Sequence, residues 1–315
     1  MISLKQLKYF DAVARHGHFG RAAEQCAITQ PALSMQIQEL EKFLDVKLFE
    51  RGRGSVMLTN SGKSIAARAA SILSDVRDIV DLARQQNSAL SGPLGLGIIP
   101  SVAPYILPAL LPLIRDSYPQ LDLRLRETQT QFLLRELLDG GLDLLLLALP
   151  VENAAIETLR LFDDRFLLAM SKAQQASSHA RATLDMVETD RLLLLEEGHC
   201  FRDQALTFCG LRHIENIATF GVSSLSTLLD MVANGFGMTL IPEISVGLET
   251  KRETIHLLRF EDPEPKRVIG LAWRRGSPRE QDFLELGEVI AAAAEQVLLS
   301  ATAASPHAGS SLHAI

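Results

Sequence analysis

The chain has 315 residues, of which 47% are hydrophobic and 22% charged, and its formal net charge is −7. These values are typical of a soluble globular protein with room for about two domains. No signal peptide and no apolar stretch of membrane-spanning length is evident, so we expect a cytoplasmic protein without a membrane partner. Three cysteines are too few for a structural disulfide framework.

The first 60 residues are the net-positive part of the chain, with eight Lys or Arg against six Asp or Glu. Apolar residues at helical spacing predict a helix over 4–16 and a second over 19–26. After a tight turn, Thr29 is expected to cap a third helix that has Pro31 in its first turn. A hairpin over 47–58 follows. This order of elements predicts a winged helix-turn-helix domain.

The exposed face of the third predicted helix is polar and not acidic. Gln and Ser can bond base edges in the major groove, and arginines on a wing can contact the DNA backbone. A merely solvated polar face is the alternative, but the turn, the capped helix and the wing together favour DNA. The candidate DNA-binding residues are Thr29, Gln30, Pro31, Ser34, Gln38, Arg51 and Arg53.

Residues 61–87 contain no Gly after Gly62 and no Pro, which predicts one long linker helix. Its apolar residues alternate spacings of four and three, the pattern of a coiled-coil seam. We expect the same helix of a second subunit as the partner, and packing on the chain's own second domain is the alternative. Residues 88–92 are expected to form a hinge. The seam residues are Ile65, Ala69, Ile72, Val76, Ile79 and Ala83.

Residues 93–300 alternate between predicted strands and helices, which indicates an α/β effector domain. Its length allows two lobes with a cleft between them, similar to a periplasmic binding protein. We expect lobe I over about 93–164 and 268–300, and lobe II over about 165–267. The tail, 301–315, has too little apolar content to be expected to fold.

Cys200 and Cys209 lie nine residues apart in a segment without Gly or Pro. If the segment is helical, a rise of about 1.5 Å per residue separates their Cα atoms by roughly 13 Å. A disulfide needs Cα atoms within about 7 Å, so bonding would require the helix to unwind. This conflict predicts a redox switch, whereas Cys26 is expected to be a small buried hydrophobe. The apolar face that predicts the helix consists of Phe201, Ala205 and Phe208.

Several stretches resemble LysR-type transcriptional regulators. Residues 10–23, 29–34, 40–41 and 48–51 are similar to the DNA-binding domain of that family, and residues 234–242 are similar to its effector domain. Residues 198–209 closely resemble the cysteine segment of the peroxide-sensing members. The resemblance extends to about residue 299.

The resemblance implies that Cys200 is the peroxidatic thiol and Cys209 the resolving thiol. It also implies supporting groups that bind peroxide; the peroxide sensors often carry Thr where this chain has Ser101. On sequence alone, loop capping is the alternative role for Ser101 and Thr130, and an exposed charge at the end of a strand is the alternative for Arg267. The supporting groups are Ser101, Thr130, His199 and Arg267.

The resemblance further implies a regulator, not an enzyme, that needs no cofactor or metal and controls antioxidant genes as activator or repressor. Hydrogen peroxide would be the signal, and glutaredoxin or thioredoxin the reductant. The expected partners are promoter DNA, RNA polymerase, and further copies of the chain in a homodimer and homotetramer. A LysR-type regulator of a small metabolite is the first alternative. A thiol peroxidase and a solute-binding protein are disfavoured, because neither uses a DNA-binding segment.

Overall fold

The computed structural model describes residues 1–51, 56–85, 90–174, 181–189, 191–197, 200–208, 217–219, 221–249 and 254–304. Contacts between Cα atoms divide the chain into two compact units. The first comprises Met1–Ser88 with Leu138–Gly141, and the second comprises Ala89–Leu137 with Leu142–Ile315. Among the described residues, no helix has the length and apolarity that a bilayer crossing requires.

The first unit contains the predicted helix-turn-helix and wing. Ser3 and Gln6 form a capping box at the first helix, and Gly17 ends that helix with a φ of 57°. Thr29 caps the third helix by accepting a hydrogen bond from the Ala32 N–H. The elements are α1 Leu4–His16, α2 Phe19–Gln25, α3 Gln30–Leu44, β1 Phe49–Arg51, β2 Val56–Leu58 and α4 Asn60–Gln85, with β1 and β2 antiparallel.

A buried carboxylate joins α3 to the wing. Glu41 Oε1 accepts hydrogen bonds from the N–H groups of Leu48 (2.8 Å) and Phe49 (3.4 Å), and Oε2 accepts one from Lys47 Nζ at 2.9 Å. The Phe49 ring packs edge-on against Phe10 in the core of this unit. The hairpin therefore has a fixed position against α3. Its tip, residues 52–55, lies outside the described residues.

The linker helix α4 differs from the predicted seam in its first half. Ala69 is 1% exposed and Ile65 is half-buried, and both pack against the core of the helix-turn-helix. Because these side chains pack on that core, and α1 contacts α4, they are not part of a surface that a second subunit could cover. Further along α4, Ile72 and Ile79 are exposed as a seam requires.

The second unit is α/β, as predicted. In chain order its elements are β3 Gly92–Ile98, α5 Ala103–Ser117, β4 Leu121–Glu127, α6 Thr130–Leu138, β5 Leu144–Leu149, β6 Ile156–Ser171, α7 Leu184–Thr189, β7 Leu192–Leu194, α8 Cys200–Phe208, β8 Ile217–Thr219, α9 Leu225–Ala233, β9 Thr239–Pro242, α10 Val246–Glu249, β10 Ile255–Arg259, β11 Lys266–Arg274 and α11 Glu280–Ala304.

One long strand connects the two halves of this unit. The first part of β6 pairs with β11 in the sheet ordered β6-β11-β5-β3-β4. Its second part pairs with β10 and β9. The change of partners occurs near Arg165 and Phe166, so this point of β6 is where one half of the sheet passes into the other.

Two boundaries differ from the sequence-based predictions. β6 begins at Ile156, well before the predicted start of lobe II at about 165, and its first part is half-polar and gives no apolar strand signal in the sequence. The last helix continues past Leu299 to Ala304, and Ala301 is buried, so 301–304 are not part of an unfolded tail. Residues 305–315 lie outside the described residues.

Candidate functional site

The two hydroxyl-bearing residues predicted for the site lie at the same edge of the sheet. Ser101 follows β3, and Thr130 opens α6 after β4. β3 and β4 are parallel neighbours, and the Thr128 N–H donates to the Ile98 carbonyl beyond their last pair. Loops at the carboxyl ends of parallel strands form the usual binding crevice of α/β sheets.

Arg267 is buried at this edge and makes an ion pair across the sheet. It lies opposite Asp164 in the β11–β6 register, and its Nε donates to Asp164 Oδ2 at 2.9 Å. Nη1 donates to Ser101 Oγ at 2.7 Å, and Nη2 donates to the Ser101 carbonyl at 3.0 Å. Ser101 and Arg267 are thus in direct contact. The interpretation of Arg267 as an exposed strand-end charge is wrong, since its side chain is 1% exposed.

Asp164 is completely buried and has a second partner. Its Oδ1 accepts a hydrogen bond from the Ile244 N–H at 3.1 Å, in the turn after β9. Burial raises the pKa of Asp164 above its ordinary value, while the Arg267 charge and the Ile244 N–H act in the opposite direction. The carboxyl group therefore connects Arg267 to the backbone of the other half of the sheet.

The first turn of α8 packs on Arg267. The guanidinium carbon lies 5.3 Å from the centre of the Phe201 ring, within cation–π range. The same ring packs edge-on against Phe166 at 5.4 Å, and Phe201 and Ala205 are buried as the predicted apolar face requires. Arg202 Nη1 donates to the Leu195 carbonyl at 2.9 Å. The cysteine-bearing helix is thus docked directly on the polar site.

Two buried oxygen atoms near these elements have no partner among the described residues. They are Thr130 Oγ1 and Gln204 Oε1. Gln204 lies four residues after Cys200, on the same face of α8. Buried polar atoms are nearly always hydrogen-bonded, so orphaned ones suit a small polar ligand or an ordered water.

The cysteines are described only in part. Cys200 is the first residue of α8, as predicted, but its side chain lies outside what the structure describes. His199 and Cys209 fall outside the described residues altogether. Cys26 is a free thiol, half-buried against the helix-turn-helix core, and burial raises its pKa. Within the described ranges, no group of His, Cys, Asp and Glu could hold a metal ion.

The predicted DNA-binding face is accessible in the first unit. Thr29, Gln30, Pro31 and Gln38 are exposed and Ser34 is half-buried, on the side of α3 opposite the buried Leu33, Ile37 and Leu40. Pro31 lies in the first turn of α3, where its missing N–H costs no hydrogen bond. The side chain of Arg51, and Arg53 as a whole, lie outside the described residues.

Sequence reasoning missed Asp164, Gln204 and the contact between Phe201 and Arg267. Gln204 could have been found from its spacing of four residues after Cys200. Asp164 gives no such signal, because it stands next to Asp163 in a charged run. Only the strand register distinguishes the buried carboxylate of Asp164 from the half-buried carboxylate of Asp163.

Comparison with known proteins agrees with both units. Residues 4–63 match the bacterial regulatory helix-turn-helix protein family, lysR family, and residues 87–294 match the LysR substrate binding domain. The DNA-binding transcriptional dual regulator OxyR of Escherichia coli is 40% identical over 92% of this chain and 95% of its own length. A probable hydrogen peroxide-inducible genes activator of Streptomyces viridosporus is 43% identical over 91% and 93%.

Solved structures give the same result. A full-length OxyR of Pseudomonas aeruginosa with a Cys-to-Asp substitution has a TM-score of 0.79 and 35% identity, covering 92% of this chain and 98% of that one. A Corynebacterium glutamicum OxyR mutant with hydrogen peroxide bound has a TM-score of 0.68 and 33% identity, covering 96% and 95%.

A helix-turn-helix with a wing, followed by a two-lobed α/β effector domain, defines a DNA-binding bacterial transcription regulator. The matches to both domains extend over most of the sequence. The chain belongs to the LysR family and, within it, to the OxyR group.

Proposed function

We propose that this protein is a transcription regulator that senses hydrogen peroxide through its effector domain and reports it to promoter DNA. The observation that carries the proposal is the polar site of Arg267 and Ser101 directly against the first turn of α8, the helix that begins with Cys200. The names of the relatives in the same group support peroxide as the signal.

The chemistry requires a thiolate and a polarised peroxide. The Cys200 sulfur attacks one peroxide oxygen, the O–O bond breaks, and the second oxygen leaves as hydroxide, which takes a proton to become water. Arg267, Ser101, Thr130 and His199 are the groups we propose to bind the peroxide and stabilise the leaving oxygen. A site at the start of a helix also favours the thiolate.

The second step forms the disulfide. The thiol of Cys209 attacks the sulfenic acid of Cys200, an S–S bond forms, and water leaves. Residues 200–208 are helical, so their geometry is incompatible with this bond until the helix unwinds. Unwinding would remove Phe201 from Arg267 and change the surface of the lobe, and hence the spacing of the DNA-binding domains in the assembly.

Further partners belong to the same proposal. Two subunits would pair through α4, and two such dimers would form a tetramer on promoter DNA. Thr29, Gln30, Pro31, Ser34 and Gln38 would face the major groove, with Arg51 and Arg53 on the wing. We propose a cytoplasmic protein that contacts RNA polymerase, is reduced by glutaredoxin or thioredoxin, and acts as a regulator and not as a peroxidase.

Mass spectrometry after stoichiometric hydrogen peroxide tests the proposal. We expect a Cys200–Cys209 bond in the wild type and a peroxide-dependent change of the promoter footprint. Cys200→Ser should abolish both, because it removes the attacking sulfur. Cys26→Ser is the matched control and should leave both unchanged, since Cys26 lies in the first unit.

Three results would contradict the proposal. The first is a disulfide that contains Cys26, and the second is a footprint change that persists in Cys200→Ser. The third is a protein that is stabilised by a metabolite and does not respond to peroxide, as expected of a metabolite-responsive LysR regulator.

A further inference from the structure

Asp164 is a buried charged group to which the proposed chemistry assigns no task. Its side chain is fully inaccessible, and it lies opposite Arg267 in the strand register, where it contacts both Nε and Nη2. The distances are 2.9 Å and 2.8 Å to the same oxygen, Oδ2. A buried carboxylate needs a partner, and here the partner is the arginine of the proposed peroxide site.

The contacts of Asp164 determine the orientation of the guanidinium. Asp164 holds the edge formed by Nε and Nη2, Ser101 holds the adjacent edge formed by Nη1 and Nη2, and the Phe201 ring covers one face. These contacts leave at least one of the five N–H donors of the guanidinium for a ligand. A donor on Nη1 has its direction set by the plane of the group, and Asp164 fixes that plane together with Ser101 and the Phe201 ring.

The position of Asp164 is itself fixed from the other half of the sheet. Its Oδ1 accepts from the Ile244 N–H at 3.1 Å, so the carboxylate cannot turn without losing a backbone hydrogen bond. The two oxygens thus have separate tasks: Oδ2 aligns the arginine, and Oδ1 anchors the carboxylate.

We propose that Asp164 is a positioning residue for peroxide reduction, which acts by aiming Arg267 at the leaving oxygen and not by touching the peroxide. This inference rests on the proposed function. Displacement of a charged donor by about 1 Å can lower a rate on the order of a hundredfold, so the alignment matters as much as the charge.

Asp164→Asn tests the proposal, because it keeps the size of the side chain and removes its charge. We expect the second-order rate constant for disulfide formation by hydrogen peroxide to fall on the order of ten- to a hundredfold. It should be measured at a pH at which the Cys200 thiolate is fully formed. The rate of Cys200 alkylation by iodoacetamide should not fall, because alkylation does not use Arg267. Equal falls in both reactions, or an unchanged peroxide rate, would overturn the proposal.

Asp163→Asn is the matched control. Asp163 is the preceding residue of β6 and pairs with Lys266 at 2.7 Å and Arg160 at 2.6 Å, on the exposed side. The same loss of charge at this position should leave both rates within about twofold of the wild type. If the wild type itself forms no Cys200–Cys209 bond with peroxide, the proposed function fails. If the wild type forms the bond and Asp164→Asn forms it at the same rate, the proposed function stands and only the positioning role of Asp164 fails.

A double-mutant comparison covers the case in which Asp164→Asn does not fold. Removal of both charges avoids an uncompensated buried arginine. In a background of Arg267→Gln, we expect Asp164→Asn to change the peroxide rate less than about threefold, because a positioning residue has nothing left to position. A further fall of tenfold in that background would show that Asp164 acts independently of Arg267, and would contradict the proposal.

Discussion

A buried hydroxyl at the carboxyl edge of the sheet is left without a partner by the described residues, which suits a small polar ligand or an ordered water. Thr130 Oγ1 has no hydrogen-bond partner in the described part of the chain. Thr239 is a fully buried threonine whose Oγ1 donates to the Leu193 carbonyl at 2.8 Å. The fold thus uses the hydroxyl of Thr239, whereas the described residues leave the hydroxyl of Thr130 unpaired.

Thr130→Val should separate function from stability. The valine removes a hydroxyl that the described structure leaves unpaired, so the free energy of unfolding should stay the same or rise slightly. The rate constant for oxidation of Cys200 by peroxide should fall about tenfold or more, if the hydroxyl binds the peroxide. Urea unfolding and quenched-flow alkylation measure the two quantities.

The control is Thr239→Val, which removes a hydroxyl that the fold does use. It should lower the free energy of unfolding by about 1–2 kcal/mol and leave the oxidation rate unchanged. If Thr130→Val costs as much stability as Thr239→Val and leaves the rate unchanged, Thr130 has a structural role only.

At the scale of elements, the contact between α3 and the wing depends on the ionised form of Glu41. Burial alone would raise the pKa of Glu41, but the Lys47 ammonium and the N–H groups of Leu48 and Phe49 outweigh it and lower the pKa. A carboxyl whose folded-state pKa is lowered stabilises the fold above its unfolded-state pKa of about 4.3. That contribution is lost as the pH falls through the lower folded-state value.

Glu41→Gln should therefore weaken the attachment of the wing at neutral pH and matter less in acid. Replacing the charged acceptor should cost about 1–3 kcal/mol at pH 7. Hydrogen exchange of the Leu48 and Phe49 amides should accelerate accordingly. In urea unfolding, the difference from the wild type should shrink once the pH falls below about 4.

Glu39→Gln provides the comparison for that variant on the same helix. Glu39 is exposed and bonds only the Gln36 amide among the contacts in the described chain, at 2.9 Å. Its replacement should change stability by less than about 0.5 kcal/mol. Equal effects of the two substitutions would mean that the Glu41 contacts do not hold the wing.

For the whole molecule, the exposed apolar residues of α4 bear on the proposed dimer. Ile72 is 43% exposed, Ile79 66% and Leu82 54%. Three large apolar side chains on one helix, beyond the part that packs on the helix-turn-helix, are a surface that a second copy of α4 could cover.

Ile79→Glu should dissociate that dimer. Burying each Ile contributes about 1.5–3 kcal/mol, so its loss from both subunits should raise the dissociation constant at least about a hundredfold. Sedimentation velocity over a dilution series measures the change. Lys63→Glu, on the exposed side of the same helix, should leave the dissociation constant within a few-fold. If the Ile79→Glu variant remains dimeric at the concentrations at which the wild type is dimeric, the subunit contact lies elsewhere.

Local sequence patterns were sufficient to predict the helix-turn-helix, the alternation of strands and helices in the effector domain, and the helical form of residues 200–208. These features depend on interactions within about four residues of each other: capping at Ser3 and Thr29, and the apolar spacing of Phe201 and Ala205. The resemblance to LysR-type regulators added Ser101 and Arg267, which the structure brings into contact.

Contacts between distant parts of the chain, by contrast, set which charged and apolar groups face each other. Asp164 and Arg267 are 103 residues apart in the chain, and the register of β6 against β11 pairs them. The neighbouring Asp163 pairs with Lys266 instead. In the same way, Ala69 is buried in the core of the helix-turn-helix unit, although its position in the heptad pattern fitted a coiled-coil seam. Local periodicity sets which residues share a face, but the element that covers the face is set by packing between distant segments.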